Sequence, residues 1–505
     1  MLLPDYLSLH ILKAIVVLSV TWIILFLWKK FQNLPPGPWG IPYFGYYPFL
    51  ATQSHVDFAN LAKKYGNLFC FRSVGGKLFV ILNGQKLIKE ILVHRSDEFI
   101  GRPIESNLLE WISDGLGVTQ EEGPSWKEHR RYFLQTVKNF GFGKMEIEGT
   151  IHEEIKILKE DLLKAQGQPT DIGFHVTYAV NSVIVQVMFA RKFEKYGPIF
   201  PKLAKAANDL IAVFADRRFM LVGLPFRFSL QYLPWGEDVR EGRRFLKTVV
   251  QDIIEDHIRS FDPNNIRDYV DSYLLEMKNL KEKGKLEEST FTMERLLGIS
   301  MNMTMEGTDS VGDTLCSLLT EAAKHPEEQK KVQEEMDSVI GRERLPSMLD
   351  KPKLPYLEAF IQELFRIAQA FYNTTHYSNF EETTIRGYRI PKRSIIVGNL
   401  WSINNDPEIY PNPSKFDPTR FLERNGEKLN SDGPYPFSMG KRDCVGKSLA
   451  KMEVFLVVAS VLQNFTLQPG DKYGFVEDHE KYRIEMDGVL VFKPSSSSVS
   501  RSVHS

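Results

Sequence analysis

At 505 residues, with 43% hydrophobic and 12% aromatic side chains, the chain is long enough to build one large core or several ordinary domains, and to enclose a sizeable ligand. Sixty-three basic residues stand against sixty-four acidic ones, so bulk electrostatics do not suggest nucleic acid as a partner, and any charge argument falls to local patches. Three cysteines, Cys70, Cys316 and Cys444, are too few and too scattered for a disulfide framework or a four-ligand zinc site, and they place the fold where thiols stay reduced.

In chain order, residues 1–33 come first. "ILKAIVVLSVTWIILFLW", Ile11 to Trp28, is apolar apart from Lys13, Ser19 and Thr21, and it reads as one transmembrane helix. No small-residue cleavage pattern follows it, so the segment is an uncleaved anchor rather than a signal peptide. Lys29 and Lys30 on its C-terminal side put the main domain on the cytosolic side of the membrane. Residues 34–45, "LPPGPWGIPYFG", hold four prolines that fix φ and make a stiff, extended hinge.

From residue 46 the pattern is mainly helical. Apolar residues recur at three- and four-residue spacing over Ile151 to Gln166, Phe245 to Ile258, Met293 to Ala323 and Val445 to Leu462. Strand-like runs are short, lying within 67–84, 394–399 and 488–494. The fold class is therefore mainly α with a small β region, as one catalytic domain over 46–494, and the Ser-rich tail 495–505 is expected to be disordered.

The stretch "PFSMGKRDCVGKSLA" places Cys444 just before a helical pattern. The helix dipole and the free N–H groups at such a start are expected to lower the thiol pKa, and a thiolate is a strong axial ligand for iron. Gly440 and Gly446 permit close backbone approach and unusual φ around a metal-bound sulfur, and Arg442 adds a fixed cation. Phe437, Gly440, Arg442, Cys444 and Gly446 together match F-x-x-G-x-R-x-C-x-G. On that motif the chain resembles the cytochromes P-450, and it looks closest to their microsomal family-2 clan. "ELFR" with Glu363 and Arg366, "FDPTRFL" with Arg420, and "WKEHRR" with Trp126 and Arg130 extend the likeness.

The resemblance implies a triangular prism of helices around a buried haem b, with Cys444 on the iron. Trp126, Arg130, Arg102, Arg442 and His376 would hold the propionates, and Glu363, Arg366 and Arg420 would form a buried structural network. It further implies a monooxygenase that inserts one oxygen atom of O2 into a lipophilic substrate such as a steroid, fatty acid, terpenoid or xenobiotic. The chain has no dinucleotide-binding motif, so NADPH would act through NADPH-cytochrome P-450 reductase, with cytochrome b5 as a further partner, at the endoplasmic reticulum membrane. Lys127, Arg131, Lys441, Lys447 and Lys451 would form the docking face. Phe214 to Trp235 would form a membrane-facing lid, and Ile104 to Val118 and Leu296 to Thr304 would line the pocket. A haem-thiolate isomerase or dehydratase, and a non-catalytic haem or lipid carrier, are the alternative classes; Asp309 and Ser310 argue against the isomerase or dehydratase.

The chain departs from the family pattern in two places. After "ELFR", "RIAQAFYNTTHYSN" lacks the expected prolines and is one residue short. The oxygen-handling helix reads "EGTDSV", Glu306 to Val311. Gly307 would relax the helix, and Asp309 with Ser310 would deliver protons. Ser310 stands where the family has threonine, keeping the hydroxyl but losing the methyl that restrains its rotamer. Glu306 stands where Ala or Gly is usual and has three readings: an ester to a haem methyl, as in the family-4 enzymes; a partner for a polar or cationic substrate group; or a carboxyl turned toward water or a nearby base.

Overall fold

The computed structural model describes residues 32–51, 54–103, 111–212, 232, 236–369, 371–424, 427–428, 433–470 and 489–494. The anchor Ile11 to Trp28, most of the lid segment and the tail lie outside them. Among the described residues no helix is long and apolar enough to cross a membrane.

The sheet shows how sequence alternation becomes structure. Strand β1 (Leu68–Arg72) pairs antiparallel with β2 (Leu78–Asn83), which has all six residues buried. The short β3 (Thr170–Asp171) and β4 (Tyr377–Ser378) precede β5 (Ile395–Asn399). β5 pairs parallel with β2 and antiparallel with β4, so the sheet runs β1-β2-β5-β4. Because side chains alternate along a strand, Leu68, Cys70, Val80, Leu82 and Ile396 pack into one apolar cluster, while Phe69, Phe71, Phe79, Ile81, Ile395 and Val397 pack into another on the opposite face. A second sheet joins β6 (Phe465–Pro469), β7 (Val489–Pro494) and β3.

Helices build the rest: α1 (Ser54–Tyr65), α2 (Gly123–Val137), α3 (Glu148–Lys164), α4 (Gly173–Phe189), α5 (Phe200–Ala212), α6 (Glu237–Ser260), α7 (Tyr269–Glu282), α8 (Met293–Ala323), α9 (Pro326–Val339), α10 (Pro355–Ile367) and α11 (Lys447–Asn464). α8 covers the 31 residues that its apolar spacing predicts, and its N-cap Thr292 accepts a hydrogen bond from the Arg295 N–H at 3.3 Å. α6 begins eight residues before the apolar run that marked it, because its first turn is charged, with Glu237 and Asp238 at the positive end of the dipole. α11 is buried almost throughout and packs against α3, α8, α9 and α10, so the residues before it are held against the centre of the molecule. α8 makes its most extensive helix contact with α4. A Cβ at Gly307 would meet Ile184 Cγ1 at 3.1 Å, and one at Gly312 would meet Thr177 Oγ1 at 2.8 Å.

The proline-rich hinge is extended, and it is also docked on β1. The Cys70 N–H donates to the Pro36 carbonyl at 2.9 Å, the Cys70 thiol to Pro35 O at 3.0 Å, and the Tyr46 N–H to Arg72 O at 2.7 Å. Burial pushes the Cys70 thiol up to about 12, so it stays protonated as a donor. A Cβ at Gly37 would lie 1.7 Å from Cys70 O. Gly37→Ala is therefore expected to lift the arm and cost about 1–3 kcal/mol. Thermal unfolding and limited proteolysis within residues 34–46 check this, and wild-type resistance in both would refute the clamp.

Candidate functional site

The loop before α11 is shaped by one glycine. Gly440 has φ +83°, and a Cβ there would lie 1.8 Å from Leu92 O. The turn closes with the Asp443 N–H on Gly440 O at 3.2 Å and the Cys444 N–H on Phe437 O at 3.0 Å, while the Phe437 ring meets Phe365 of α10 edge-on. Cys444 thus lies three residues before α11, and its thiol is accessible to solvent although protein crowds the sulfur on most sides. Gly446 has φ −84°, an ordinary value. The unusual backbone expected at both glycines is confined to Gly440, and a Cβ at Gly446 would instead lie 3.8 Å from the Cys444 sulfur.

The expectation of a lowered thiol pKa is overturned. Burial pushes Cys444 up, and the nearby Glu306 and Asp443 charges act the same way; the Gly446 N–H and Arg130 pull down without prevailing. A helix start favours a thiolate only where desolvation costs less than the dipole returns.

Three guanidiniums from three segments converge beside this loop. The Arg442 Nε donates to Ile100 O at 2.9 Å and its Nη2 to Glu121 O at 2.8 Å, with the guanidinium 3.7 Å over the Trp126 ring. The Trp126 indole N–H donates to Val118 O at 2.9 Å. Arg102 donates to Thr119 O at 3.0 Å, His376 O at 2.8 Å and Thr375 Oγ1 at 3.1 Å. Arg130 donates to the carbonyl and carboxylate of Asp443 at 2.7 and 2.8 Å. Burial, then repulsion from Arg102 and Arg130, push Arg442 down to about 8. Among the described residues neither Arg102 nor Arg442 forms an ion pair. His376 joins this cluster through its backbone carbonyl; its ring lies edge-on to Phe79 at 5.5 Å, and burial followed by Arg102 pushes it down to about 4, so it is neutral. In place of the missing prolines, the segment after α10 is tied to β5: the Thr374 N–H donates to Gly398 O at 2.8 Å, and Thr374 Oγ1 accepts from the Gly398 N–H at 2.9 Å.

On α8, residues 306, 309, 310 and 313 follow i, i+3, i+4, i+7 and share one stripe, away from the face that Gly307, Thr308 and Gly312 turn to α4. Thr308 there accepts from Asn181 at 2.8 Å. α8 is continuous through Gly307, which gives close packing on α4 rather than the expected relaxation of the helix. The Ser310 hydroxyl donates to Glu306 O at 2.6 Å. Its lone pairs are left to accept. Burial holds Asp309 and Asp313 above the ordinary carboxylate range, with the charge of Asp313 adding to the shift of Asp309. Glu306 Oε2 accepts from Thr119 Oγ1 at 2.8 Å, and burial, opposed by Thr119 and Arg102, pushes the carboxyl up to about 7.

Behind the loop, Glu363 and Arg366 of α10 form a two-pronged pair at 2.7 Å and 2.7 Å, both fully buried. Arg366 also donates to the carbonyls of Asn404, Pro413 and Lys415. Arg420 Nε lies 3.4 Å from Glu363, and its other nitrogens reach the carbonyls of Pro411, Asn412 and Lys415.

The family model for Cytochrome P450 matches residues 35–485. The chain belongs to that family. Cytochrome P450 2J1 of Oryctolagus cuniculus is 36% identical over 443 residues, covering 87% of each chain. Cytochrome P450 2C8 of Homo sapiens is 34% identical over 464 residues, covering 91% of this chain and 94% of its own. Cytochrome P450 2C14 of Oryctolagus cuniculus is 35% identical over 458 residues, covering 88% and 91%. Cytochromes P450 use haem b held by a cysteine thiolate, with O2 and NADPH-derived electrons, and this P450 is an oxidoreductase, a haem-thiolate monooxygenase. The residues present fit that group: an accessible thiol stands on a glycine-shaped loop, beside the buried guanidiniums of Arg102 and Arg442, which form no ion pair among the described residues. Sequence reasoning missed Thr119, Asp443 and Asp313. Only Asp313 left a signal, four residues after Asp309.

Two outcomes follow. Glu363→Ala leaves Arg366 buried and unpaired, and is expected to cost about 3–5 kcal/mol; chemical denaturation checks it. Asp309 binds its proton more tightly folded than unfolded, so its contribution to stability declines as pH rises from about 4 to about 8. Melting temperatures should show Asp309→Asn gaining on wild type across that window, and a constant difference would contradict the raised pKa.

Proposed function

We propose that this P450 acts at the endoplasmic reticulum membrane on a lipophilic small molecule, taking electrons from NADPH-cytochrome P-450 reductase and admitting cytochrome b5 to the same face. The apolar stretch Ile11 to Trp28, followed by Lys29 and Lys30, supports a single N-terminal anchor with the catalytic domain, 46–494, facing the cytosol. Lys127, Arg131, Lys441 and Lys451 are exposed on elements around the Cys444 loop, and such a patch suits an acidic redox partner. Lys441 pairs with Asp97 at 2.6 Å, and Lys447, half-buried, sits 3.8 Å from Asp443, so part of the patch is neutralised within the chain.

The observation that carries the reading is the convergence of Arg102, Arg130 and Arg442 next to the accessible Cys444 thiol. In this reading Cys444 ligates the iron as thiolate, its raised pKa being overcome by the metal charge. Arg102, Arg130, Arg442 and the Trp126 indole, with the neutral His376 ring as a further donor, hold the propionates. The bound haem supplies O2 activation, placing one oxygen atom in the substrate and the other in water at the expense of two electrons and two protons. Ser310, with its proton committed to Glu306 O, receives a hydrogen bond from water and orients it. Asp309, held protonated near neutral pH by burial with repulsion from Asp313 adding to it, is a buried acid on that stripe. Glu363, Arg366 and Arg420 hold the segment behind the loop rigid.

The test is the carbon monoxide difference spectrum of the reduced protein in microsomes. A strongly red-shifted Soret band is expected in wild type and lost in Cys444→Ser. An unshifted band with haem retained would replace this reading with a carrier or an inactive form.

A further inference from the structure

Glu306 carries more than proton handling requires. Among the described residues its Oε1 is buried with no hydrogen-bond partner, while Oε2 is fixed by the Thr119 hydroxyl. Thr119 is itself rigid, because its carbonyl accepts from Arg102 at 3.0 Å and Arg442 at 3.5 Å. The carboxyl is therefore aimed rather than loose. One turn earlier on the same stripe, Asn302 Oδ1 is also buried without a partner among the described residues. Residue 117 is glycine, with φ +105°, and its backbone packs directly against Asn302, since a would-be Cβ there lies 2.1 Å from Oδ1. With Asn302 covered by the Gly117 backbone, Glu306 Oε1 is the acceptor left without compensation that a donor from outside the chain would repair. The cofactor does not serve, since haem carboxylates accept hydrogen bonds rather than donate them. Arg102 lies close enough to stabilise the Glu306 charge, so a second cation would be repelled and a neutral donor is favoured.

We propose that Glu306 anchors a hydroxyl group on the lipophilic substrate, and so sets both the class of substrate and the end of the molecule that is held. This rests on the haem-thiolate reading with a lipophilic substrate. The hydroxyl donates to Glu306 Oε1, and the apolar remainder lies along the rest of the pocket.

Spectral titration of the purified holoenzyme at the Soret band tests it, with three probes of equal chain length: dodecanol, dodecyl methyl ether and dodecyltrimethylammonium. Only the first combines a donor with neutrality. Dodecanol is expected to bind wild type about ten-fold more tightly than the ether, a ratio in the range of one hydrogen bond. The ratio should shrink in Glu306→Gln, which keeps one carbonyl oxygen, and vanish in Glu306→Ala. No alcohol-over-ether preference in wild type, including binding of neither, overturns the anchor without needing any variant. So does tightest binding of the ammonium probe, an unchanged ratio in both variants, or denaturing mass spectrometry showing haem fixed to the Glu306 peptide. A wild-type carbon monoxide spectrum without the red-shifted band fails the underlying reading, and the anchor with it; a normal band with no preference fails the anchor alone.

Discussion

Positive charge packed into a desolvated space is the constraint on which this structure turns. Arg442 lies flat on Trp126, Arg102 spans from Thr119 to His376, and Arg130 is tied to Asp443. Arg102 and Arg442 satisfy their donors with backbone carbonyls and a hydroxyl, which compensates hydrogen bonding but not charge, whereas Arg130 is paired with the Asp443 carboxylate. An arrangement of this kind is costly for the chain alone and favourable once two carboxylates arrive. In the proposed reading, the two uncompensated guanidiniums would be matched by the carboxylates of the cofactor edge.

The same division between packing and chemistry runs along α8. The face toward α4 is smoothed by Gly307 and Gly312 and stitched by Thr308 to Asn181, so the two helices approach closely. The other face carries Glu306, Asp309, Ser310 and Asp313. A carboxyl on that stripe is deprived of water, and burial raises all three acids. Carboxyl groups that titrate above their ordinary range thus result from helix geometry and desolvation, without any special local sequence. Gly440 has the corresponding role on the opposite side, where a left-handed backbone against Leu92 fixes the direction in which Cys444 points.

Much of this was legible in the sequence because it is local. The Cys444 loop and its helix, the strands at 68–72 and 78–83, the i, i+3 pair Glu363 and Arg366, and the 31-residue span of α8 are each written in a short window, through spacing, glycine placement or period. Polar helix turns were not legible in that way: the start of α6 carries charges that satisfy the dipole and bury little, so apolar periodicity is silent there.

What local spacing determined, then, is the kind of chemistry and the elements that present it. The tertiary fold decided how the groups act on one another. Thr119 meets Glu306 across 187 residues, and Arg130 meets Asp443 across 313. The direction of the Cys444 shift was set by burial, which no window of sequence contains. Electrostatic strength depends on the dielectric and on charges brought in from distant segments, and both exist only once the chain has packed.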